Sequence, residues 1–211
     1  MPSLSRILLL ALASLAVAVP AHAHPHVWVT MHTELVYAPD GSITGIRHDW
    51  AFDDMFSAFA TQGLQSKVKG QFTREELAPL AKVNVESLKE YNYFTYVTAD
   101  GKKAELTDPA PGYWLDYKDT ILTLHFLLPF KTPVKAKYIK IEIYDPTIFV
   151  DFEWAKKDPV HVDNFPHGCK ADVVLPHEMT YAEGQKLSNE ALASTFNWGE
   201  EFANKILVNC P

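Results

Sequence analysis

Four histidines, His24, His26, His32 and His48, precede the acidic pair Asp53 and Asp54 within one short reach of the chain. Imidazole and carboxylate suit zinc, nickel and cobalt alike, and imidazole also suits copper, so ligand type alone does not choose the ion. Alternate residues of an extended chain share a face, so two imidazoles two apart can share one ion. The candidate ligands are His24, His26 and His48. Behind them stand His32, Asp53, Asp54, Asp145 and Asp151. The competing reading is that His26 and His48 satisfy hydrogen bonds in a core beside Trp28 and Trp50. Asp145 and Asp151 flank the start of a strand, and an Asp before Pro146 is equally ordinary turn chemistry.

The segment ahead of these residues decides whether His24 begins the mature chain. Arg6, an apolar run over 7–19 and the small residues Ala21 and Ala23 follow the order of a secretory signal cut after Ala23. The run is short for a bilayer. An uncleaved anchor is the alternative, against which Pro20 and the Ala-x-Ala site argue. Cleavage leaves 188 residues (211 minus 23), which suits one domain over 24–211. It also gives His24 an α-amine beside its ring, a chelate that suits copper. An amine-amide-amide-imidazole site is excluded, because Pro25 has no amide proton.

Loss of Arg6 leaves 18 basic (19 minus 1) and 26 acidic side chains, a formal charge of −8. That balance argues against nucleic acid as a partner and favours cations. In an oxidising compartment the two cysteines, Cys169 and Cys210, are most simply a disulfide. Thiolate metal ligation is the alternative, although the close Cys-x-x-Cys spacing is absent. No Gly-x-Ser-x-Gly elbow and no His-Glu-x-x-His helix is present, so a hydrolase reading has no support.

Two alternating stretches, 26–37 and 43–52, flank Pro39-Asp40-Gly41 and predict a β-hairpin. If Ala38 pairs with Ser42, His32 falls opposite His48, Trp28 opposite Phe52 and His26 level with Asp54. A helical insert over about 53–90 follows, with acidic residues at its start and a capping box from Thr73 to Glu76. Between its helices, 65–76 has the skeleton of a twelve-residue calcium loop, with Gly70 sixth and Glu76 twelfth. Gln65, Lys67 and Lys69 stand at ligand places, so no calcium is expected. Strands are predicted over 93–98, 103–106, 121–128, 135–144, 148–154 and 206–210, and helices from about Thr180 and around 198–205. His125, in an apolar strand, reads as a hydrogen-bonded core residue. His161, Asp163 and His167 read as part of a polar loop. The fold class is α+β: mainly an antiparallel β-sandwich, with a degenerate EF-hand-like helix-loop-helix insert and C-terminal helices.

Four islands share one pattern: His24-Pro25-His26-Val27-Trp28-Val29, the run from Arg47 to Ser57, Glu75-Glu76-Leu77-Ala78-Pro79-Leu80, and the run from Tyr144 to Phe152. With Cys210-Pro211 they resemble a family of bacterial periplasmic proteins of unknown function, described as the periplasmic component of an uncharacterised, ABC-type transport system. The resemblance spans the mature chain. It implies a periplasmic location and an inner-membrane permease or ABC-type transporter as partner, since members are often encoded beside permeases resembling nickel and cobalt exporters. Some members are implicated in zinc uptake. Many relatives carry Asp-x-Asp-x-Asp-Gly in the insert, and Lys67 and Lys69 depart from it. The leading expectation is a non-enzymatic transition-metal-binding accessory, zinc before nickel or cobalt. The rivals are a copper protein, carrier or oxidative enzyme, and a structural domain without an ion.

Overall fold

The first alternating stretch forms strand β1 (Val27–Tyr37), whose odd-numbered residues are buried while the even ones face out. It pairs with β2 (Ile43–Phe52) as an antiparallel hairpin. The computed structural model describes residues 26–177, 180, 182–183 and 197–211. The expected signal segment, His24 and most of the helix expected from Thr180 lie outside them. Among the described residues no helix is long and apolar enough to cross a membrane.

Asp53 accepts the Phe56 amide and opens α1 (Asp54–Thr61), as its place ahead of an apolar run predicts. Thr73 and Glu76 make both halves of the capping box that starts α2 (Arg74–Leu88), which tolerates Pro79 in its interior. Leu77, Ala81 and Val85, four apart, form its buried stripe. Ahead of α2, Phe72 meets Tyr117 edge-on, and Arg74, the first residue of the helix, lies over the Trp114 ring.

After α2 the chain turns through Asn92, Tyr93 and Phe94, three successive residues with φ near +50°. No strand can run through such backbone, so β3 (Thr95–Ala99) starts two residues later than its sequence suggests. The expected strand over 103–106 shrinks to β4 (Lys102–Lys103) and an isolated bridge from Leu106 to Phe130. Then come β5 (Trp114–Lys118), β6 (Ile121–Val134), β7 (Tyr138–Ile143) and β8 (Val150–Trp154). Last are β9 (Val160–Asp163), β10 (Lys170–Val174) and β11 (Asn204–Asn209). The sequence reading missed β5, β9 and β10. The helix expected around 198–205 is a five-residue 3-10 turn, Trp198–Phe202, because β11 begins at Asn204.

The strands make two sheets. The first runs β5-β6-β2-β1-β8, with β9 also on β1; the second runs β10-β11-β7-β3-β4. One core lies between them, with Met31, Leu35, Ile46 and Trp50 from the first sheet and Ile139, Ile141, Ile206 and Val208 from the second. The architecture is the expected α+β two-layer arrangement, mainly antiparallel. It departs from expectation in β8 and β9, which pair parallel to β1. Cys169 and Cys210 are disulfide-bonded, 41 residues apart, and join the start of β10 to the end of β11. A loop of that length contributes about 4 kcal/mol on a chain-entropy estimate.

Candidate functional site

A single extra residue determines which histidines meet. At the turn Ala38 donates to the Ser42 carbonyl and Tyr37 pairs with Ile43, as the loop length predicts. The next pair is Val36 with Gly45, so Thr44 is bulged out of the ladder and every later pair slips by one. Thr33, not His32, faces His48; Val29, not Trp28, faces Phe52; and the Asp53 amide bonds the Trp28 carbonyl. This corrects the expected pairing of His32 with His48 and of His26 with Asp54. His26, Trp28, Thr30 and His32 are on the exposed face, whereas His48 points into the core.

His48 is fully buried and pins the two sheets together. Its Nδ1 lies 3.1 Å from the Thr33 hydroxyl and its Nε2 3.2 Å from that of Thr95 on the second sheet. The Thr95 hydroxyl spends its proton on the Tyr93 carbonyl, 2.8 Å away. Nε2 must therefore carry the ring proton and donate to Thr95, while Nδ1 accepts from Thr33. Burial pushes the pKa down to about 3, with neighbouring Asp49 opposing, so the ring stays neutral. Neither nitrogen is open to an ion, and His26 is on the other face. The expected trio of His24, His26 and His48 is not brought together, because the bulge puts His48 inside.

Instead, the outer face carries a row that sequence reasoning did not find. His32, Asp49, His125 and Trp114 are successive partners across β1, β2, β6 and β5. His125 Nδ1 is 2.6 Å from the Asp49 carboxylate and Nε2 3.2 Å from that of Asp116. The Trp114 ring stands edge-on to His125, and His32 Nδ1 reaches the Asp158 carbonyl at 3.1 Å. Asp49 is half-buried, which raises its pKa, but the His125 hydrogen bond and charge prevail and hold it below the usual carboxylate value. His125 is thus not a core histidine. The signal was present: Leu122, Leu124, Phe126 and Leu128 fill the inner positions of β6, so the odd residues face out.

At the head of β1, the His26 amide donates to the Phe149 carbonyl at 2.9 Å and its ring lies 4.9 Å from that of Phe149. The residue is exposed yet anchored. Asp53 spends one oxygen on the Phe56 amide and the other on the Trp28 amide. Asp54, next to it in the first turn of α1, stays exposed. Asp145 is buried and accepts from the Thr147 amide and hydroxyl and the Phe149 and Val150 amides, so it organises its turn. Asp151 pairs with Trp28 along β8, and burial, then Glu153, raises its pKa. The disulfide removes both cysteines as thiolate ligands. In the insert, the Glu76 oxygens are taken by the Lys67 and Thr73 amides. His161 and Asp163 sit 2.9 Å apart in β9, which occupies part of the expected polar loop.

Among the described residues, no group of three or more His, Cys, Asp or Glu side chains could hold a metal ion. Tested against the implied ion, His48 does not fit. His26 and exposed Asp54 offer the right donor chemistry at one end of the sheet. His32 lies six residues further along, roughly 20 Å at strand spacing, too far to share an ion with His26.

Fold and geometry define an α+β protein of two β layers, with imidazoles spread over one solvent face. Residues 9–210 match the family described as "Protein of unknown function (DUF1007)", and the chain belongs to it. It is similar to the "Uncharacterized 15.5 kDa protein in trpE 3'region" of Spirochaeta aurantia, 31% identical over 119 residues, 55% of this chain and 84% of that one. An "Uncharacterized protein" of Haemophilus influenzae is 22% identical over 176 residues, 81% of this chain and 84% of that one.

Proposed function

We propose that the protein is a periplasmic, non-enzymatic transition-metal-binding accessory of an inner-membrane metal permease or ABC-type transporter, with zinc the favoured ion and nickel or cobalt the alternatives. One observation carries the reading. His26 is exposed at the head of β1 and held by its own amide and by the Phe149 ring, so its imidazole is carried by a rigid strand. With the signal cut after Ala23, His24 adds a second imidazole two residues away, and Asp54 supplies a carboxylate from the start of α1. His48 is not a ligand on this reading. The disulfide agrees with export to an oxidising compartment.

The test is a titration of the processed protein with zinc, nickel, cobalt and Cu(II), alongside a form carrying one extra residue before His24. The expected result is a single zinc site that the extension weakens little. Because imidazole must be neutral to bind, affinity should fall on acidification. A site that vanishes on extension and prefers copper would replace the reading with the copper chelate. No saturable binding of any of the four ions would leave the structural-domain reading.

A further inference from the structure

We infer that the cavity between the sheets and α2 is a binding site for a small neutral molecule with an aromatic or branched apolar body and one hydrogen-bond acceptor. The cavity has a volume of about 380 Å³, within the range of small-molecule sites. Val29, Trp50, Phe52, Phe94 and Phe152 form its inner walls, and Leu88 of α2 closes one side. At the rim, Tyr91 and Phe149 remain 39% and 45% exposed.

The unmatched group is the Trp50 indole. Its residue is 1% exposed, and its Nε1 has no hydrogen-bond partner among the described residues. A buried donor left unpaired is costly. Nε1 itself has no accessible surface, so a ligand oxygen satisfies it by a shift of the Trp50 ring toward the cavity. The one acid in the wall, Asp145, already accepts four bonds from its own turn. No lysine or arginine lines the cavity to hold an anion, which with Asp145 present selects a neutral ligand. A third observation concerns the backbone of the wall. Phe94 ends the three-residue left-handed run, a conformation costing about 1–2 kcal/mol per residue for ordinary side chains. Such strain gathers where a site shape is being held. The Thr95 hydroxyl, bonded to the Tyr93 carbonyl and to buried His48, fixes that run in place. The lining includes no imidazole, although Phe149 at the rim also holds the His26 ring.

The experiment follows the Trp50 indole N–H in ¹⁵N–¹H spectra of the oxidised protein, with the peak identified by its loss in Trp50→Phe. Acetophenone, ethylbenzene and phenyltrimethylammonium are the probes. Acetophenone should bind saturably, move the indole proton downfield and bind about three- to tenfold more tightly than ethylbenzene, the margin of one hydrogen bond. Trp50→Phe should abolish that margin and keep ethylbenzene binding. Leu88→Trp, still disulfide-bonded and folded by near-ultraviolet dichroism, should lose both. The proposal is overturned if the indole peak stays still to the solubility limit of acetophenone, or if ethylbenzene binds equally well. It also fails if the ammonium probe binds best, or if the rim responds to phospholipid vesicles alone.

Discussion

His48 and His125 sit one pair apart on neighbouring strands, facing opposite sides of the same sheet. Both have each ring nitrogen within hydrogen-bond distance of a partner. For His48 the partners are two hydroxyls in a dry core; for His125 they are two carboxylates at the surface. The first environment fixes a neutral tautomer and makes the ring a structural pin between layers. The second surrounds the ring with acceptors and leaves it at the water's edge. Residue type is therefore a weak guide to ligand chemistry, and the face on which a histidine emerges is a strong one.

The largest effect expected comes from undoing what separates the faces. Inserting one residue between Gly45 and Ile46, with the ladder otherwise continuous, would turn Arg47 and Asp49 inward and His48 outward. The cost of burying those charges exceeds the stability of an ordinary domain, so no folded protein should be recovered. A folded variant, with the cooperative unfolding of the wild type, would break the comparison.

Next is the pin itself. His48→Ala leaves a cavity and an unpaired Thr33 hydroxyl, and should cost about 3–5 kcal/mol in denaturant unfolding. The same residue carries a pH signature. Its folded pKa, near 3, lies below the ordinary value of about 6.5. Between those limits the unfolded chain binds the extra proton. The contribution of His48 is therefore complete above pH 6.5 and is lost as pH falls toward 3, by about 1.4 kcal/mol per unit. In His48→Gln that part of the slope should disappear, and an unchanged profile would show the ring to be more solvated than its surroundings imply.

The smallest effect belongs to the outer face. His125→Ala removes a partly exposed arrangement whose carboxylates are 41% and 48% exposed, and should cost under about 1 kcal/mol, less in high salt. A loss as large as that of His48→Ala would erase the distinction between the faces.

Much of this was legible in the chain. Alternation gave the hairpin, Thr73 and Glu76 the start of α2, and a single pair of cysteines their bond. The turn pair Ala38 and Ser42 was readable too, because loop length sets the first rung. The bulge was not. One extra residue leaves the run of apolar side chains nearly intact, and the only trace is Gly45, whose close neighbours Leu127 and Leu128 leave little room for a side chain. That one slip moved His48 from the expected site into the core. β9 and β10 were missed for another reason: Val160-His161-Val162-Asp163 alternates over only four residues, too short to stand out in a polar loop, and β10 is largely exposed. The His125 row needed β6 and β5 placed beside the hairpin, which is long-range information no local pattern carries.

The most direct measurement is zinc affinity by competition titration at pH 7.5 for a chain produced to begin at His24, and for its His26→Ala and His48→Gln variants, the last confirmed folded. The account predicts at least a tenfold loss for His26→Ala and no change for His48→Gln. A loss confined to His48→Gln would contradict it, since the ion would then have reached a ring that the bulge turns into the core.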